Sequence, residues 1–142
     1  MTQQNPNINP SPLVIVSTPP EDSSLSLART IAEAADDRKA ADILLLGVTE
    51  ISYLTDYFII ATGFSHAQVR AICNSIENAV EEQYQRFPDR IEGKTEGSWI
   101  VLDYGDAIAH ILLPEEREYY NLEAFWGHAE RIDCQFDRAV GE

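Results

Sequence analysis

Positive charge is scarce in this chain. Ten Lys and Arg face 24 Asp and Glu across 142 residues, leaving a net charge of −14. A protein that grips a phosphate backbone needs a basic footprint, so this balance argues against direct nucleic-acid binding. It leaves room for a basic protein partner, such as a protein component of a ribonucleoprotein, beside the plainer role of keeping the chain soluble. Cysteine is scarce too. Cys73 and Cys134 have neither metal-type spacing nor a partner motif, which predicts ordinary buried thiols in a reduced, cytoplasmic compartment. Long apolar runs are missing: the longest, Ile43 to Val48, has strand length and falls far short of the ~20 residues that span a bilayer. The N-terminus carries no basic stretch followed by an apolar one, so no export signal is predicted. There is no P-loop, no G-x-G-x-x-G and no G-x-S-x-G elbow.

What is present reads as a single α/β domain. A hydrophobic fraction of 44% suits a globular chain, and a folded region of about 120 residues buries roughly two-thirds of its extended surface, enough for one core. Residues 1–22 hold Pro6, Pro10, Pro12, Pro19 and Pro20 among Asn, Gln, Ser and Thr. Such a stretch cannot sustain regular hydrogen bonding, so a disordered Pro-rich tail is predicted over 1–22 and the domain over 23–142. Leu13 to Val16 is an apolar patch in that tail, long enough only for local packing.

A helix is predicted from Ser23 or Ser24, with a hydroxyl cap, Glu21 and Asp22 at its positive end, and Leu27, Ile31, Ala34 and Ala35 on one face. Ile43 to Val48 and Tyr57 to Thr62 are continuous apolar runs, predicting strands buried on both faces. Gly63 breaks the second. Ser65 and Gln68 then fit a capping box, each side chain taking the other's backbone amide. The helix that follows carries the stripe Val69, Ile72, Ile76, Val80 and Tyr84 and ends before Pro88. Glu92 to Gly97 reads as a polar loop. Trp99 to Asp103 and Ala107 to Leu112 read as a hairpin turning on Tyr104-Gly105-Asp106. Glu115 to Trp126 is predicted helical, stopped by Gly127, and Arg131 to Phe136 a short edge strand. The sum is a mixed β-sheet covered by helices.

Several residues invite a chemical role. Ser65 opens a helix after a strand, as a nucleophile can, but capping accounts for it. Gly63 offers a phosphate seat before a helix N-terminus; a glycine that merely ends a strand is the simpler account. Asp103, Asp106 and His110 gather around the hairpin as a candidate metal set, against Asp106 as a turn cap and His110 as a strand residue facing a neighbour or partner. His66 and His128 lack companions and read as surface residues. Tyr119, Tyr120, Phe125 and Trp126 cluster with Arg117 near the C-terminus. Part of that set packs the core, and aromatics with Arg are also the residue types that anchor protein interfaces.

The line Asp42-Ile43, then Leu54-Thr55-Asp56-Tyr57-Phe58-Ile59-Ile60-Ala61-Thr62-Gly63 with Ser65 and Val69, resembles the first half of the Iojap-like ribosomal silencing factors. The second half is more specific: Glu92-Gly93, Trp99-Ile100-Val101-Leu102-Asp103-Tyr104-Gly105-Asp106, His110, Arg117, Tyr120, Leu122-Glu123 and Trp126 follow the family pattern in order. The resemblance spans about residues 25–136. It implies a nucleotidyltransferase-like core without catalytic residues, and the chain has no D-x-D carboxylate pair to hold magnesium. It implies a protein that is not an enzyme and needs no metal or cofactor. Such a protein binds ribosomal protein L14 on the large subunit, blocks association with the small subunit and so represses translation. Homodimers are common in the family, and neither nucleic acid nor membrane is an expected direct partner. The partner-binding residues it implies here are Trp99, Asp103, Tyr104, Asp106, His110, Arg117, Tyr120 and Trp126. Gly47 departs from the family, standing where relatives usually carry Asp, and the proline-rich tail lies outside the common core. Two alternatives stay open: a nucleotidyltransferase-like enzyme retaining nucleotide or metal binding at Gly63, Asp103 and Asp106, and a large-subunit assembly factor using the same surface.

Overall fold

An unbroken apolar strand needs cover on both faces. In the computed structural model, which describes residues 23–52, 54–134 and 136, β2 (Tyr57–Thr62) is buried at every position and lies inside a six-stranded sheet. In chain order the elements are α1 (Ser23–Asp37), β1 (Ala41–Gly47), β2, α2 (His66–Tyr84), β3 (Arg90–Glu92), β4 (Trp99–Asp103), β5 (Ala107–Leu112), α3 (Pro114–Tyr120), α4 (Leu122–Phe125) and β6 (Glu130–Ile132). The sheet order is β3-β4-β5-β2-β1-β6. β2 and β5 run parallel, and every other neighbouring pair is antiparallel. This is the predicted α/β architecture with a mixed sheet. The tail predicted over 1–22, with Glu21, Asp22 and the Leu13 to Val16 patch, lies outside the described residues.

One face of the sheet is closed by α1 and α2. Leu27, Ala28, Ile31, Ala32 and Ala35 meet Val69, Ile72, Cys73, Ile76 and Val80 above Ile59, Ile100 and Ile111 in one buried cluster. The alanines let the two helices approach closely, and Ser75 Oγ donates to the Ala34 carbonyl at 2.9 Å across the seam. The Ser24 hydroxyl donates to Asp106 Oδ2 at 2.8 Å, tying the start of α1 to the β4–β5 turn. At α2, Ser65 Oγ accepts from Gln68 N at 3.0 Å as predicted. The return bond differs. Gln68 Oε1 takes the Phe64 amide (2.7 Å), and its Nε2 donates to the Arg38 and Lys39 carbonyls. The side chain therefore joins α2 to the turn after α1 as well as capping it.

Five sequence expectations give way. β1 begins at Ala41 through an irregularity with Asp42 at φ 50°, and only Leu45 and Leu46 bring full burial to its two sides, since Ile43 and Leu44 are half-buried. β3 occupies Arg90–Glu92, where no apolar alternation announces a strand; pairing with β4 creates it. The single helix expected over Glu115 to Trp126 is two, parted by Asn121 at φ 47°, a left-handed conformation that Asn tolerates better than most residues. Gly127 is not the terminator, because α4 ends at Phe125. The edge strand expected over Arg131 to Phe136 is β6, shifted earlier and paired with β1.

Candidate functional site

The second face of the sheet is covered thinly. Strand alternation puts Trp99 and Val101 of β4, Ile108 and His110 of β5, and Phe58 and Ile60 of β2 on the side away from α1 and α2. The α3–α4 segment lies over part of it, with Leu122 and Trp126 joining a small cluster around Leu46, Val48, Phe58, Ile60 and Leu112. Neither α3 nor α4 contains a fully buried residue.

A continuous row of rings crosses this face. Tyr119 stands edge-on to Tyr120 (4.9 Å between centroids), Tyr120 lies on Trp99 (4.8 Å), and Trp99 adjoins His110 (6.0 Å). His110 meets Phe58 at 5.5 Å, and Phe58 meets Trp126 at 4.8 Å. Trp99 Nε1 donates to His110 Nδ1 at 3.0 Å. An indole N–H can only donate, so Nδ1 must accept and the imidazole is neutral with its proton on Nε2. Burial pushes the His110 pKa down to about 4, in keeping with that state. At the Tyr119 end the row is open to solvent, with Tyr119 81% and Tyr120 47% exposed; Phe125, next to Trp126 in sequence, is 76% exposed. Glu115 and Glu118 on α3 are exposed beside it.

Arg117, expected to anchor a partner, turns inward. Its side chain is 10% exposed; Nε and Nη2 reach Glu123 Oε2 at 3.2 and 3.1 Å, and Nη1 donates to Thr62 Oγ1 at 2.9 Å.

The remaining expected site residues are at the β4–β5 turn, with Asp103 ending β4 on the same face as Trp99 and Val101. Asp103 Oδ1 accepts from the Gly105 amide at 2.8 Å, and its Oδ2 pairs with Arg90 at 3.4 Å. Asp106 pairs with Arg86 at 3.0 Å besides its bond from Ser24. Burial works against the Asp106 carboxylate, but the Arg86 and Ser24 hydrogen bonds outweigh it and hold its pKa below the usual carboxylate value. Tyr104 is a core residue, 1% exposed, and burial pushes its hydroxyl pKa up. Asp103, Asp106 and His110 thus each have a different partner and do not converge as a metal set. The Gly63 amide donates to the Leu112 carbonyl at 3.0 Å, so it is not held open for a phosphate. Cys73 is buried, its thiol pushed up to about 12 by burial and by the Glu77 carboxylate, while Cys134 is half-buried; neither is an activated nucleophile.

Comparison with known proteins gives this geometry its setting. The profile of the family described as "Ribosomal silencing factor during starvation" matches residues 21–141. The chain belongs to the ribosomal silencing factor family. It is 40% identical to the Bacillus subtilis protein named ribosomal silencing factor RsfS, over 78% of this chain and 93% of that one. It is 43% identical to the chloroplastic Iojap protein of Zea mays over 80% of this chain, which spans only about half (49%) of that relative's length. A crystal structure of a Chromobacterium violaceum protein superposes with a TM-score of 0.70 at 31% identity, covering 83% of this chain and 95% of the other.

Within this silencing-factor fold, the residues carried over from the family pattern divide in two. Trp99, His110, Tyr120 and Trp126 come together on the open face, Arg117 fastens the segment above them, and Asp103, Tyr104 and Asp106 belong to the β4–β5 turn, Asp103 on the same strand face as Trp99 and Val101. Sequence reasoning missed Phe58, which links His110 to Trp126, although its alternate position in β2 was a usable signal. It also missed the roles of Thr62 and Glu123 as partners of Arg117, which no local pattern encodes because the bonds cross 55 and 6 residues. Gly47 is not forced by crowding. A Cβ there would meet Glu130 Oε1, Ile132 and Tyr57 at an ordinary 3.5–3.6 Å, yet an Asp would put a second carboxylate against Glu130.

Proposed function

We propose that this protein docks on the large ribosomal subunit through ribosomal protein L14, keeps the small subunit from joining, and thereby represses translation in the cytoplasm. The observation that carries the reading is the row of rings on the thinly covered sheet face, in a chain of the silencing-factor family. Aromatic side chains make large desolvated contacts at low conformational cost, which suits them to anchor an interface. The acidic α3 beside the row and the net charge of −14 suit a basic protein surface and speed the encounter with it. An interface of about 800 Å² per partner lies within reach of a domain of this size. Obstruction needs bulk in the right place and no bond chemistry, which fits a site whose charged groups at Asp103, Asp106 and Arg117 are engaged in structural bonds. A homodimer formed in solution is part of the same proposal, since the family commonly pairs.

The test is cosedimentation with separated subunits at increasing protein, with crosslinking to identify the contacted protein. Binding to large subunits, fewer joined ribosomes and affinity that falls between roughly 50 and 300 mM salt are the expected results. Normal joining at saturating protein would overturn the proposal. A second reading, action during large-subunit assembly, is favoured by a Mus musculus relative named mitochondrial assembly of ribosomal large subunit protein 1, 34% identical over 61% of this chain. Accumulation of immature large subunits on depletion, with joining unaffected in purified components, would select it.

A further inference from the structure

We infer that Arg117 is a positioning residue, which latches α3 and α4 onto the sheet so that Tyr120 and Trp126 complete the docking face, without itself meeting the partner. This rests on the proposed docking role of that face. Apolar packing holds the segment in part, through Leu122 and Trp126 against the cluster around Phe58 and Leu112, but it does not fix the corner. α3 and α4 bury no residue fully, and helix continuity does not set the angle between them, because Asn121 breaks the chain into a left-handed turn. Arg117 brackets that corner twice. Its carbonyl accepts the Asn121 amide at 2.9 Å, while its guanidinium reaches past the corner to Glu123 in α4 and back to Thr62 at the end of β2. One side chain therefore fastens three elements, and with 10% exposure it has little surface left for a partner.

Glu123 makes the latch one-sided. Its Oε2 is held by Arg117, while Oε1 is sealed from solvent with no hydrogen-bond partner among the described residues. Arg117 is the cation paired with this carboxylate, whose side chain is 27% exposed. Without it, Oε1 loses the charge that offsets its burial, the tie from α4 to α3 and to Thr62 is gone, and the corner at Asn121 is free to shift. The rings on either side of that corner would shift with it: Tyr120 at the end of α3, which lies on Trp99, and Trp126 just after α4, which lies on Phe58.

The chain holds two tryptophans, so each gives its own indole N–H signal in a ¹⁵N-correlated NMR spectrum of the full chain. Arg117→Ala should shift both signals, leave the core methyl signals of Ile31 and Ile72 in place, and lower large-subunit affinity at least tenfold. Arg117→Lys, which keeps the charge but cannot span Glu123 and Thr62 together, should shift both signals less, and it serves if the alanine variant does not fold. Adding Glu123→Ala to Arg117→Ala removes the stranded carboxylate and should recover part of the affinity. Lost affinity with unmoved indole signals would make Arg117 a direct contact and overturn the inference; moved signals with full affinity would overturn it equally. If the wild-type chain itself fails to bind large subunits, the docking proposal falls, and the latch is still judged by the indole signals.

Discussion

The two faces of the sheet are built to different standards. Under α1 and α2, Ile31, Ile72, Ile100 and Ile111 are wholly buried and the two helices are sealed against each other. Under α3 and α4, rings that are half-buried except for Phe58 touch one another beneath a segment held by Leu122, Trp126 and a few polar bonds. Burial on the first face scales with apolar area and supplies most of the folding free energy. The second face leaves aromatic area exposed, of the kind that marks interaction surfaces. On the proposed docking role, stability and recognition are divided between the two sides of one β-layer, and substitutions should separate them.

Ile72→Ala should break the helix face most severely. Its side chain is 0% exposed, and the cavity left by such a truncation costs about 2–5 kcal/mol; thermal melting should show a clear drop, with affinity per folded molecule unchanged. A near-neutral result would mean that α2 is not the principal lid of the core.

Next comes pH. The folded chain takes a proton on His110 only near about 4, against an ordinary 6.5 when unfolded, so its contribution is complete above 6.5 and lost as pH falls toward 4. At 1.36 kcal/mol per unit, that amounts to roughly 3 kcal/mol at the bottom of the window. Denaturant midpoints from pH 7 to 4 should fall more steeply for wild type than for His110→Gln, which cannot titrate. Parallel slopes would remove His110 from the account.

Trp126→Ala tests the ring face. An anchor there should cost about 2 kcal/mol of large-subunit binding, while the melting temperature falls less than for Ile72→Ala, because Trp126 is only half-buried. Trp99→Ala, under Tyr120, is the companion measurement. An unfolded Trp126 variant with normal binding in its folded fraction would return the residue to the core.

The smallest effect is expected at the β4–β5 turn. Asp106→Asn weakens a pair whose Arg86 side chain is 40% exposed, so about 1 kcal/mol of stability is at stake, with affinity changed less than twofold. A large affinity loss would extend the docking surface to that end of the sheet.

Where hydrophobic pattern alone decides, the sequence was legible. β2, β4 and β5 fall at the predicted residues because an apolar run bounded by Gly63, Gly105 or Pro114 has little freedom. β3 was not legible, since Arg90-Ile91-Glu92 acquires its conformation from Asp103, Leu102 and Val101 opposite. The same limit governs the site. Tyr104 and Trp99 look alike in sequence, yet one is 1% exposed and the other half-buried on the far face, a difference set by position in the pleat. Arg117 carries the residue type of an interface anchor, and only its distant partners reveal a fastening.

The parallel contact between β2 and β5 has a consequence for how the chain reaches its native state. Tyr57 and Ala107 are neighbours in the sheet though fifty residues apart in sequence. The β4–β5 hairpin and the contact of α1 with β1 can close early across short loops. The central seam must wait until α2 has crossed over, because closing a longer loop costs more entropy before any contact rewards it. Refolding should therefore show its slow phase in probes of Tyr57 and Ile59 on β2, after hairpin signals have already matured.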